Sequence, residues 1–576
     1  MTHRYHSIRT GPPVPRVVLP CTAVGTALAL YALALIVRLV LLVGFPDPAY
    51  PDSFYYVDVA RNLAAGHGFS IDAVWIFAEV GGAIPAVSTL PIPSNAHWMP
   101  LASLVQVPFI WLLGPTALAS ALPFAFLGSL AAPLTWALGR DAGATRMVAV
   151  GAGVLVAIPA ASAVFMAQPD NFGLYQPLVA CALWMGARGL KGSARSFALG
   201  GLLVGLATLA RNDGVLVGAA LALAFAWDRW AAWRSGGTRQ PAIPLWAAVA
   251  CFALFLAVLA PWLARQLAVF GMLSPSTATG KVLFIRSIDE WNSITAPANL
   301  QWLLGQGLGP LLTSRVGGLL AAITIFAVLV GGVLLVPFML VGGWARRRSL
   351  DFGPFFAYAG LLFGFSALVS AVHVPGGTFI HSAVGLVPGA SVLALEGIAV
   401  AVAWAAGRRR SWDAATATRF FTVAAVGFAV VVAIGAAVVT QAAWSARRDD
   451  FLLVDRGLAD AGAAPDERVM SIDASGTLYW TGHPGVVLVN DPLDTIKEVA
   501  SAYDIRWLVL DRADSVASVA PILDGGPRPA WLGAPLASRP ARQLPGAAPL
   551  PAGAIGLGLY PVCVDDADLR CAEVAP

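Results

Sequence analysis

Residues 18 to 70 read VLPCTAVGTALALYALALIVRLVLLVGFPDPAYPDSFYYVDVARNLAAGHGFS, and the change of character inside that stretch decides the fold. Its first part, 18–44, is apolar apart from Arg38 and exceeds the roughly 20 residues a helix needs to cross a bilayer. Its second part carries Asp47, Asp52, Asp58, Arg61 and His67 among several aromatics. A chain that leaves lipid directly into carboxylates and tyrosines places polar chemistry at a membrane surface. The polar part has helix grammar: Asp52 or Ser53 as N-cap, Phe54, Val57, Ala60, Leu63 and Ala64 along one side, and Gly66 or Gly68 as the stop. This helix is expected to lie flat on the outer surface.

Composition agrees with a membrane chain. The 576 residues are 58% hydrophobic and only 12% charged, with a mean hydropathy of +0.74. Soluble domains carry about twice that charged fraction. The apolar runs lack the alternation of barrel strands, so the expected fold is an all-α polytopic bundle. The first run is too long for a signal-peptide core and is read as an uncleaved anchor.

Eleven apolar runs fall near 18–44, 117–138, 147–166, 172–187, 197–210, 214–228, 243–264, 317–342, 354–372, 383–405 and 418–443. Alternating them puts six basic clusters on one side: Arg4/Arg9/Arg16, Arg140/Arg146, Arg188/Lys191/Arg195, Arg229/Arg234/Arg239, Arg346 to Arg348, and Arg408 to Arg410 with Arg419. The positive-inside rule makes that side cytoplasmic. The opposite loops hold nine acidic residues, and the run 98–114 is read as a helix dipping into the outer leaflet. The expected domains are a cytoplasmic N-terminus (1–17), a transmembrane module (18–443, outer loops 46–116 and 265–316) and an extracytoplasmic α/β domain (444–576). The last carries net charge −7 against +11 for the rest. Its pattern predicts strands at RVMSID and VVLVN, a helix across PLDTIKEVASAYD, a strand at IRWLVLD, and a flexible loop over 523–551. Cys563 and Cys571 are candidates for a disulfide if this tail is exported.

Several segments then resemble one family in order along the chain. PDSFYYVDVARNLAAGHGF, NAHWMPL (95–101), MAQPDNFGLYQPLVACAL, GGLLVGLATLARNDGVLV and APWLARQLAVFG are similar to conserved stretches of the GT-C glycosyltransferases. The protein O-mannosyltransferase and lipid A aminoarabinose-transferase branch is the nearest in pattern. The resemblance implies a polyprenyl-phosphate sugar as donor, no nucleotide or other cofactor, a glycan, lipid or protein acceptor, and transfer with inversion at the outer face of the cell membrane. Many relatives carry an acidic pair where this chain has Asp52-Ser53, which leaves Asp52 as the candidate base.

Candidate donor-phosphate cations are Arg211, His381, His97, Lys281 and Arg286, since arginine binds phosphate bidentately and lysine or protonated histidine acts as a point charge. Asp170, Asp58 and Tyr55 are candidates for orienting the acceptor. Each has a plainer reading. Asp52 and Asp170 suit helix caps, Arg211 can pair with Asp213, a histidine at a helix start can be structural, and Arg38 can snorkel to the surface. No His/Cys cluster has metal-ligand spacing, so a metal-independent enzyme is expected, with no nucleic-acid partner. A lipid or solute transporter is the alternative. It would place ionisable groups at mid-membrane and repeat one half of the chain in the other, and the sequence has neither pattern.

Overall fold

The computed structural model describes residues 21–80, 83–85, 88–275, 281–369, 378–409, 412–514, 516–543, 549–563 and 571. The expected N-terminal segment 1–17, with its arginines, lies outside the described residues. Among the described residues, eight helices are long and apolar enough to cross a membrane: Thr22–Gly44, Ala117–Asp141, Asn212–Arg234, Leu245–Phe270, Leu308–Val330, Leu350–Val369, Phe379–Ala406 and Ala414–Asp460. A further pair, Arg146–Ala157 and Ala160–Ala167, is apolar enough only when taken together and meets at 54°, as in a broken span or a re-entrant loop. Pro159, which lacks an N–H, and Ala160, at φ 42°, break it.

The run expected at 172–187 is the helix Phe172–Leu190, and the short run at 197–210 is Ala194–Ala210. The run at 317–342 is divided. Its helix ends at Val330, Gly332 (φ 49°) and Val333 (φ 64°) turn the chain, and a second helix covers Val336–Arg346. The dipping stretch forms two short helices, Leu101–Leu104 and Val107–Leu113, with Leu112 80% exposed.

Loops sort onto two faces. On one, Lys191 Nζ pairs with Asp141 at 3.2 Å and Asp351 at 2.7 Å, drawing three connections together beside the arginine clusters. On the other, Asn212 donates to the His97 carbonyl at 3.0 Å and Gln266 to that of Asn95 at 2.8 Å. One membrane charge departs from expectation. Arg38 is 1% exposed and donates Nη1 inward to the Ala34 carbonyl at 3.1 Å, so it does not snorkel. Glu396 pairs with Arg346 at 2.5 Å.

The first-loop helix spans Pro51–Ala64, and its N-cap is Tyr50 rather than Asp52 or Ser53. Ser53 Oγ instead reaches back to accept from the N–H groups of Ala49 and Tyr50, at 3.0 and 3.1 Å. Residues 53 to 60 are all buried. The helix therefore does not lie flat on a surface: it is packed between the short helices of 101–113 and the C-terminal helix Ala474–Thr481, and Gly66 (φ 85°) turns the chain out of it.

The strands are β1 (Ser70–Ile71), β2 (Ala73–Val74), β3 (Ile92–Pro93), β4 (Arg468–Ser471), β5 (Gly485–Val487), β6 (Ile505–Asp511), β7 (Ala537–Pro540) and β8 (Ile555–Pro561). β1 and β3 pair alone, and the rest form one sheet in the order β2-β5-β4-β6-β8-β7. The expected C-terminal elements appear at β4, β5, Leu493–Ala502 and β6, while β7 lies inside the stretch read as loop. The edge strand β2 comes from the first loop, parallel to β5 with Val74 opposite Val486. One core consequently joins Tyr55, Trp75 and Trp98 to Met470, Val486 and Leu508. The helix Ala414–Asp460 runs without a break from the bundle through residue 444 into this region, where Val454 and Leu458 pack against Val509 and Leu559. Cys563 and Cys571 form a disulfide.

Candidate active site

The backward turn made by Ser53 leaves the Asp52 carboxylate free of capping, one residue into the helix. It receives the indole N–H of Trp98 at 2.9 Å on Oδ1. Asp170 stands just ahead of the helix Phe172–Leu190, where its Oδ1 accepts from the Asn171 N–H at 2.5 Å and its Oδ2 from the Tyr50 hydroxyl at 3.0 Å. Between them lies His381, on the short helix Thr378–Ala383. Its Nε2 is 3.7 Å from Asp52 Oδ2 and its Nδ1 3.7 Å from Asp170 Oδ2. The imidazole stacks on Phe172 with centroids 4.5 Å apart and planes at 13°. Three segments more than 100 residues apart thus meet at the mouth of the bundle.

Exposure divides the three groups. The side chain of Asp52 is 28% exposed, against 9% for His381 and none for Asp170. Burial raises the pKa of Asp52, with the Trp98 hydrogen bond and the positive charge of Arg211 opposing it. Burial also raises Asp170, and the neighbouring Asp52 charge adds to the effect. An open carboxylate backed by a buried carboxyl and an imidazole can take a proton from a hydroxyl group and hold the resulting charge.

The other expected residues fall in three places. Arg211 is near enough for its charge to act on Asp52, Asp170 and Tyr56, and it donates Nε to Asp213 at 3.0 Å, so the plain pairing also holds. His97 is half-buried beside Trp98, and desolvation together with the charge of Arg211 pushes its pKa down to about 4. Lys281 donates to the Ser293 carbonyl, and Arg286 binds Glu290 at 2.6 Å and Gln306 at 2.9 Å, which ties both into the second outer loop.

Asp58 is not brought to Asp52: six residues on at 100° per residue, it points to another side of the helix. Tyr55, one turn on from Asp52, shares the Trp98 indole with it, stacked at 4.2 Å. Tyr55 donates to Glu79, whose pKa burial pushes up to about 8, and Asp58 is buried among the charges of Arg61, Asp473 and Asp72. Sequence reasoning missed Tyr50, Trp98 and Phe172. Only their adjacency to charged or motif residues hinted at them.

The metal expectation rested on spacing along the chain, and the structure assembles a donor set that spacing could not reveal. Asp52, Asp170 and His381 each offer one ligand atom, all within 4.8 Å of one another, a group that can hold a divalent cation.

No protein-family model matches the sequence, and neither does any curated protein. Solved structures do. ArnT from Cupriavidus metallidurans, bound to undecaprenyl phosphate, aligns over 87% of this chain and 95% of its own at 14% identity, with a TM-score of 0.53. The archaeal oligosaccharyltransferase AglB from Archaeoglobus fulgidus, in complex with an inhibitory peptide and a dolichol-phosphate, aligns over 85% of this chain and 69% of its own at 14% identity, with a TM-score of 0.51. The fold is that of the GT-C glycosyltransferases.

Proposed function

We propose that the protein is an inverting glycosyltransferase that moves a sugar from a polyprenyl-phosphate donor to an acceptor hydroxyl at the outer face of the cell membrane. The observation that carries this reading is the convergence of Asp52, Asp170 and His381 at the bundle mouth, within the field of Arg211. Asp52, the most open of the three, takes the acceptor proton as the hydroxyl oxygen bonds to the anomeric carbon. The bond from that carbon to the phosphate oxygen breaks, and its electron pair leaves with the lipid phosphate. One in-line displacement inverts the centre. Arg211 is the cation best placed to stabilise the departing phosphate.

His381, 3.7 Å from each of the two carboxylates and stacked on Phe172, is placed to hold both in position. On this reading no metal is required, although the same three groups would hold a divalent cation that could polarise the leaving phosphate. Orientation follows from the arginine-rich loops, which the positive-inside rule places in the cytoplasm, and from the Cys563–Cys571 disulfide, which suits an oxidising compartment. ArnT was solved with undecaprenyl phosphate and AglB with a dolichol-phosphate, which favours a lipid-phosphate donor for the shared fold.

The test supplies labelled polyprenyl-phospho-sugars to membranes holding the wild type or Asp52→Asn. Transfer by the wild type should exceed that of the variant by about two to four decades, with equal amounts of folded protein. Equal transfer by both would sink the proposal.

A further inference from the structure

Three consecutive residues at one break in the bundle each hold a different part of the candidate site. The helix Ala194–Ala210 stops at Arg211, whose backbone is extended (φ −152°, ψ 138°), and Asn212–Gly214 make one tight turn before the helix Val215–Arg234 begins. A Cβ on Gly214 would stand 2.5 Å from the Ala207 carbonyl carbon and the Thr208 nitrogen, so the turn is folded hard against the end of the first helix. Little freedom remains in where Arg211, Asn212 and Asp213 point.

Their partners are far from them in sequence. The charge of Arg211 acts on Asp52 and Asp170. Asn212 Nδ2 donates to the His97 carbonyl at 3.0 Å, and the next residue, Trp98, donates to Asp52. Asp213, only 8% exposed, divides its carboxylate: Oδ1 accepts from Arg211 Nε at 3.0 Å, and Oδ2 accepts from the Ser382 hydroxyl. Ser382 is fully buried and follows His381 on the short helix Thr378–Ala383. Its carbonyl accepts from the Tyr358 hydroxyl at 3.1 Å, which lies 3.2 Å from the Tyr175 hydroxyl. The helix that carries His381 is therefore held at Ser382 through both side chain and main chain. A pairing made only to neutralise Arg211 would not need the second oxygen on another helix. Because that oxygen is taken up by Ser382, the guanidinium and the imidazole are referred to one buried carboxylate, and a shift of about 1 Å in a positioned group can cost a hundredfold in rate.

We infer that Asp213 is a positioning residue that fixes Arg211, the cation for the leaving phosphate, against His381 by way of Ser382. The inference rests on the proposed transferase reading and deepens it by tying two of its groups into one unit.

The experiment uses the full chain in detergent with its seven histidines labelled with ¹⁵N, the His381 ring signal being identified by its loss in His381→Ala. Ser382→Ala removes the hydroxyl and leaves the Arg211–Asp213 pair. It should move the His381 signal and leave that of His97 in place. With labelled polyprenyl-phospho-sugars, Ser382→Ala should lower kcat about tenfold at an unchanged acceptor KM, and in the His381→Ala background it should cost nothing further. Asp213→Asn, which loosens Arg211 as well, should cost more than Ser382→Ala and should still cost activity in that background. Ser382→Ala, the gentler change, carries the test even where Asp213→Asn fails to fold. An unmoved His381 signal overturns the inference and leaves the transferase reading standing. So does a loss in Ser382→Ala that adds in full to that of His381→Ala, or a lowered thermal midpoint with kcat per folded molecule unchanged. Absence of transfer by the wild type removes the transferase reading, and the inference with it, whether or not the His381 signal moves.

Discussion

Trp98 donates its indole N–H to Asp52 at 2.9 Å while the same indole stacks on Tyr55, centroids 4.2 Å apart. Trp75 meets Trp98 edge to face at 5.3 Å and donates to Ser475 at 3.0 Å, so the C-terminal region reaches the carboxylate through two tryptophans. Trp98 is a positioning residue whose hydrogen bond favours the ionised form of Asp52. Trp98→Phe keeps the stacked ring and removes the donor. Burial has already raised the Asp52 pKa, so the acid limb of kcat should lie above the ordinary carboxylate range near pH ~4. Losing the donor raises that pKa further, and because the base must be deprotonated, the limb should move to higher pH with about a tenfold loss at mildly acid pH. An unmoved limb would show that the indole only fills space.

His381 separates the metal-free reading from the metal one. If His381 acts between Asp52 and Asp170 without a metal, chelators leave transfer unchanged, and His381→Ala lowers kcat by about a hundredfold, a loss that added Mg²⁺ or Mn²⁺ does not repair. Transfer that stops with a chelator and returns with a divalent cation would assign all three side chains as ligands.

The Cys563–Cys571 bridge closes a short loop of sequence separation 8, far from the triad in sequence. Replacing both cysteines by serine should cost about 2–3 kcal/mol of local stability by the chain-entropy relation. Turnover at 25 °C should be unaffected, since neither cysteine belongs to the candidate site. A matching loss of kcat in the double variant would tie this loop to the active helix.

What the sequence disclosed and what it hid follow physical lines. Asp52, Asp170, Arg211 and His381 could be singled out because charge beside long apolar runs is rare. Their meeting could not, because it is set by how separate helices pack. The capping role of Tyr50 was hidden for a similar reason: Ser53 can reach backward or forward from the same position, and only the chain ahead of it decides. β2 is two residues long and pairs with a strand some 400 residues later, so no local pattern marks it. Gly331 and Gly332 did mark a break in the run 317–342, but hydropathy smoothed over them.

Close backbone contact between two helices gives the sharpest packing prediction. A Cβ on Gly397 would stand 1.9 Å from the Phe338 carbonyl oxygen, and one on Gly342 would stand 1.9 Å from that of Leu393. The helices Val336–Arg346 and Val387–Ala406 thus cross backbone to backbone, the small-residue packing that membrane helices use in place of a hydrophobic drive. Gly397→Ala must push them apart, straining the adjoining Arg346–Glu396 pair. Folded yield and thermal midpoint should both fall. Gly427, in the long helix, has nothing within 4 Å of its would-be Cβ, and Gly427→Ala should be neutral or stabilising by about 0.5–1 kcal/mol. If both variants melt alike, the crossing is looser than these contacts require.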